Sequence, residues 1–125
     1  MDKTRVQDIM TKDVQYLSTT SSLLDAHNLT RVLGIRHIPI IDPDSMEYQG
    51  MLSQKAMLGK VMSIVSSYGT SGLERREKAV NVLELMDADN PTVTPDGDLR
   101  DAAKHFVSRK FGCLPVLNND NGLCG

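Results

Sequence analysis

Two short segments with the same order of residue types stand 76 positions apart, and they constrain the fold more than any other feature of this chain. The first is Gly34-Ile35-Arg36-His37-Ile38-Pro39-Ile40-Ile41-Asp42, and the second is Lys110-Phe111-Gly112-Cys113-Leu114-Pro115-Val116-Leu117-Asn118. Each is a polar or glycine-containing approach, a hydrophobic residue, a proline, two more hydrophobics and a turn residue. Proline has no backbone donor, so it suits the first residue or the edge of a strand. The β-rich residues after it predict a short buried strand. Two such strands at this separation imply a duplicated unit.

The duplication extends well beyond the strands. Val6, Ile9 and Met10 share one helical face, and Val82-Leu83-Glu84-Leu85-Met86 repeats that opening. Val14 and Tyr16-Leu17 predict a short extended segment, matched by Thr92-Val93-Thr94-Pro95. The polar run Ser18-Thr19-Thr20-Ser21-Ser22 can cap a helix over 22–33, whose apolar residues are Leu23, Leu24, Ala26, Leu29, Val32 and Leu33. Gly34 stands at its natural stop. The counterpart helix spans 97–110, with Leu99, Ala102, Ala103, Phe106 and Val107 as its apolar face. The two copies align without a gap from Val6 and Val82 to Asp42 and Asn118.

In the first unit a turn at Asp42-Pro43-Asp44-Ser45 leads to a strand over 49–53 and a helix over 54–66. In the second, the turn after Asn118 is one residue shorter, so Gly125 matches Gly50. The later strand and helix have no counterpart, and the second repeat is therefore truncated. An apolar edge at Val116 and Leu117 is expected to need cover from further chain or from a neighbour. Residues 66–72, rich in serine and glycine, read as a linker. The mixed charges of 73–79 read as a solvated helical turn.

Composition removes several classes of function. The net charge of −2 offers no bulk attraction for nucleic acid or membrane. No apolar run approaches the length of a membrane span, and residues 1–5 lead into no apolar signal region. A cytoplasmic location is expected, with Cys113 and Cys124 as reduced thiols. His27, His37, His105 and the two cysteines lack ligand spacing, so no metal is expected. Seven methionines and no tryptophan suit gap-filling in an aliphatic core. No phosphate-cradling, nucleophile-elbow or zinc-protease motif is present, and the chain is not expected to be an enzyme.

Four landmarks stand in order, the first three in both copies: the Val-x-x-x-Met opening, the Leu-x-Asp-Ala helix, the hydrophobic-Pro-hydrophobic strand, and Gly-x-x-Ser at Gly50 to Ser53. Together they resemble a cystathionine-β-synthase (CBS) domain pair, the Bateman module. The resemblance implies an α/β fold of tandem β-α-β-β-α repeats with two small packed sheets. Its units would be 1–66 and 81–125, joined by a linker over 67–80, and the module would associate as a homodimer. It further implies a regulatory role. An adenosyl ligand (AMP, ADP, ATP or S-adenosylmethionine) would bind between the repeats, with no cofactor required, and an effector protein would sense it.

Carried onto this chain, the resemblance implies two clefts. One would use Asp87, Asn90, Pro91, Phe111, Gly112 and Cys113 with Met51 and Ser53. The other would use Thr11, Val14, Gln15, Ile35, Arg36 and His37, with Arg36 and His37 facing a phosphate. The family's ribose-binding aspartate would fall at position 56, which is Ala56 here; the second cleft's equivalent would lie past Gly125. A ligand-free dimerisation or protein-interaction scaffold with degenerate nucleotide sites is the second reading. His37 itself has two readings, since a histidine beside a buried strand is more often packed and hydrogen-bonded than a ligand contact. Ser53 can equally satisfy a backbone group where its strand meets the next helix.

Overall fold

A computed structural model of the chain describes residues 4–89, 91–109 and 113–125, with side chains for all of these except 105–109. α1 (Val6–Ile9), β1 (Leu17–Ser18), α2 (Leu23–Leu33), β2 (His37–Ile41), β3 (Tyr48–Ser53) and α3 (Gln54–Tyr68) form the first unit. α4 (Leu73–Lys78), a 3-10 turn at Val82–Glu84 and α5 (Leu99–Arg109) follow. The chain is α/β, as the pattern predicts.

Local chemistry sets the element ends. Ser22 Oγ accepts from the Asp25 backbone N–H, and the Asp25 carboxylate accepts from the Ser22 N–H, a reciprocal cap on α2. Gly34 ends α2 at φ 69°, a left-handed conformation in which glycine carries no Cβ penalty. Ser53 caps α3 by accepting from the Ala56 N–H at 3.1 Å.

β2 is central, parallel to β1 and antiparallel to β3. Pro39 lies in the middle of β2, not at its first residue. It is tolerated there for a geometric reason. Its partner Met51 turns both backbone groups away, donating to Asp87 O at 2.8 Å and accepting from Asp87 N at 2.9 Å. Pro39 and Met51 are thus a non-hydrogen-bonded pair. The proline nitrogen faces the β1 side, where pairing begins only at Ile40.

The second unit repeats the register of the first. Val93 pairs with Val116 in parallel as Leu17 pairs with Ile40, and Leu117 pairs with Leu123 as Ile41 pairs with Tyr48. The two units also exchange their openings. Val6 N–H donates to Gly97 O at 3.0 Å, and its counterpart Val82 N–H donates to Ser21 O at 3.0 Å. Val82 is consequently buried in the first core with Leu23, Ala26, Ile38, Ile40, Leu52, Met57 and Ile64. Val6 is buried in the second with Ala102 and Val116. Among the described residues the first core also receives Met57 and Ile64 from α3. The matching positions of the second, including Val6, Leu99 and Val116, line an apolar groove of about 220 Å³.

Two expectations are corrected. Val116 and Leu117 are only 3% and 7% exposed, because the last residues turn back over them. Cys124 N–H donates to Val116 O at 2.7 Å, and Val116 N–H donates to Gly125 O at 2.9 Å. Nor is 73–79 simply a solvated turn. α4 packs on α2 and α3, Glu77 is 3% exposed, and its Oε1 lies 2.8 Å from Nδ1 of His27. The Arg76 guanidinium sits 3.6 Å from the Tyr68 ring centroid, a cation–π contact that seats α4 against the end of α3.

Candidate functional site

Alternation along β2 sorts its side chains onto two faces. Ile38 and Ile40, fully buried, face the first core. His37 and Pro39 face the other way, into a cavity of about 410 Å³, and Ile35, just before β2, lines that cavity while also packing against the first core. Cys113 and Pro115, the counterparts of His37 and Pro39, line the same cavity, so it lies between the two units. Its remaining walls come from Leu33 at the end of α2, Met51 of β3, Leu114, Gly125, and the loop bearing Thr11, Asp13, Val14 and Gln15.

Two glycines permit this close approach. A Cβ on Gly50 would lie 2.6 Å from Met86 Cγ and 2.8 Å from Asp87 O. A Cβ on its counterpart Gly125 would lie 2.6 Å from Thr11 O and 3.0 Å from Met10 Cγ. Each opening loop therefore closes over the other unit's backbone where no side chain intervenes.

The walls are mostly apolar, with Thr11, Asp13, Gln15, His37 and Cys113 as polar members. Burial, and secondarily the Arg36 charge, hold the His37 imidazole below its ordinary value of 6.5. Burial pushes the Cys113 thiol up to about 11, so it is an uncharged wall and a poor nucleophile at neutral pH. Among the described residues no cluster of three or more His, Cys, Asp or Glu could hold a metal ion.

The His37 shift has a consequence for stability. Below pH 6.5 the unfolded chain takes up a proton that the folded chain refuses, so stability is full above that value and declines as pH falls through it. The decline ends once the lower folded-state value is passed. Urea midpoints between pH 7.5 and 5 should therefore fall more steeply for the natural chain than for His37→Gln. Parallel curves would refute this.

Of the residues expected from the sequence, Thr11, Val14, Gln15, Ile35, His37, Met51 and Cys113 meet in this one cavity. Met51 and Cys113 had been expected in a separate cleft; the pairing of equivalent strands sets them beside His37. Arg36 is exposed and outside the lining, since alternation turns it away from His37. Ser53 is the α3 cap, and Asp87 accepts from the Asp89 N–H at 2.9 Å, closing a local turn. Pro91 is half-buried outside the lining. Asn90, Phe111 and Gly112 lie outside the described residues. Asp13, Leu33, Pro39, Leu114, Pro115 and Gly125 line the cavity without having been expected there. Alternation from His37 and Cys113 points to the two prolines; nothing local points to Asp13.

Among the described residues no helix is long and apolar enough to cross a membrane. The CBS domain family model matches residues 6–63 and 82–125. A crystal structure of the Vibrio cholerae protein AcuB, named for acetoin utilization, is 31% identical, with TM-score 0.78 over 98% of this chain and 82% of that one. CBSX2 of Arabidopsis thaliana, in complex with AMP, is 26% identical, with TM-score 0.76 over 97% and 87% of the two chains. The chain spans 40% of MJ0188 of Methanocaldococcus jannaschii and 22% of a homoserine O-acetyltransferase of Methanohalobium evestigatum, each 26% identical over the matched residues. Matched over most of its length in two successive segments, the chain belongs to the CBS domain family.

Proposed function

We propose that this chain is a regulatory module that binds an adenosine-containing ligand in the 410 Å³ cavity and reports its occupancy to a partner protein. The observation that carries this reading is a cavity built jointly by equivalent residues of both units: His37 with Cys113 and Pro39 with Pro115. Its size falls within the ordinary range for small-molecule sites. Val14, Ile35 and Leu114 offer apolar faces for a purine, and Thr11, Gln15 and His37 offer hydrogen bonds to its edge or sugar. The AMP complex of CBSX2 supports an adenosyl ligand. The role is allosteric and not catalytic, in a cytoplasmic homodimer. Ligand can shift the relation between units only as far as its affinities for the two arrangements differ.

Calorimetric titration with adenosine, AMP, ATP and S-adenosylmethionine tests the proposal. Saturable binding with a raised melting temperature is expected, about 2.7 kcal/mol of stabilisation at a hundredfold excess over Kd. No heat and no melting shift at millimolar ligand would sink it. The scaffold reading would then stand, favoured by Ala56, which packs against the first core where the family carries a ribose-binding carboxylate.

A further inference from the structure

The charge of the cavity wall narrows the ligand class. Among the described residues the lining includes one acidic residue, the exposed Asp13, and no lysine or arginine. Lys12 and Arg36, each next in the chain to a lining residue, are exposed and outside the lining. His37 is the sole imidazole among the described lining residues, and its depressed pKa keeps it neutral at pH 7. The Cys113 thiol is likewise uncharged. A phosphate held here would lose water, gain no cationic partner from the described wall, and meet a carboxylate of like sign. Asp13 is exposed, so solvent screens part of that repulsion and leaves a modest penalty. Neutral or positively charged groups meet the opposite situation, because Asp13 attracts a cation and accepts hydrogen bonds from hydroxyls.

We propose that this cavity prefers adenosyl ligands without phosphate, a neutral nucleoside or thioether or a positively charged sulfonium, and discriminates against adenine nucleotides through Asp13. The inference rests on the adenosyl reading above and specifies which members of that class the site accepts.

The test is a side-by-side titration of the whole chain with adenosine, 5′-methylthioadenosine, S-adenosylmethionine and AMP, repeated on Asp13→Asn. Asp13 is exposed, so its replacement should leave folding intact. In the natural chain the tightest phosphate-free compound should bind about threefold more strongly than AMP, as a like-charge contact with a solvent-exposed carboxylate predicts. Asp13→Asn should narrow that ratio by strengthening AMP binding. AMP binding as tightly as the others, or a ratio unchanged in Asp13→Asn, overturns this inference while leaving the adenosyl reading in place. No binding by any compound overturns both.

Discussion

Gly50→Ala should lower the midpoint of thermal unfolding by about 5–10 °C, corresponding to an overpacking cost of about 1–3 kcal/mol. The added methyl would lie 2.6 Å and 2.7 Å from Met86 Cγ and Sδ, and 2.8 Å from Asp87 O. The methionine side chain can swing aside. The carbonyl cannot do so freely, because it accepts from Met51 N–H at 2.8 Å, and the Asp87 N–H returns that bond. Relief therefore requires moving the second unit's opening off β3, which also loosens Met51 in the cavity wall. Gly59→Ala is the matched control. Nothing lies within 4 Å of its Cβ, and it stands inside α3, so alanine should stabilise the chain by about 0.5–1 kcal/mol. Differential scanning calorimetry on both variants checks the pair. Equal midpoints would mean that the opening of the second unit does not close over Gly50.

His27→Ala should cost about 1–3 kcal/mol by leaving the Glu77 carboxylate buried without its imidazole partner. Glu77 is 3% exposed, whereas the His27 side chain is 37% exposed. The loss should fall in the lower half of that range, since water can reach the vacated side. The contact joins α2 to α4, so amides of 73–78 should exchange faster in the variant while those of β2 keep their protection. Adding Glu77→Gln to His27→Ala should recover part of the lost stability, because a neutral amide is cheaper to bury alone than a charge. Urea unfolding of the single and double variants measures this. Additive losses would show that the two side chains do not interact.

Much of the fold follows from short stretches of chain. Ser22 and Asp25 cap α2 reciprocally, Gly34 ends it, and the run of hydrophobic residues around Pro39 makes a short buried strand. Each device acts over about four residues, so its outcome is written where it acts. The duplicated register is equally readable: Leu17 with Ile40 and Val93 with Val116 keep one offset, and the turn shortened by one residue shifts Tyr48 to Leu123. The site was only partly readable. His37 and Ile35 are marked by their strand, but that they share a cavity with Cys113 and Met51 is not marked anywhere near them. Asp13 carries no local sign of its role, and Glu77, in a run of mixed charge, looks like any solvated acid until α2 is laid against it.

By itself the sequence determined the repeated unit, the caps and stops of its helices, and the two short buried strands that carry Pro39 and Pro115. Those properties arise from neighbours a few residues apart. Only the tertiary structure decided that each unit's opening packs in the other's core, that His37 and Cys113 share one cavity, and that Asp13 is among its lining residues. Alternation states which way a side chain points; what stands opposite depends on how distant faces pack, and that is a property of the folded whole.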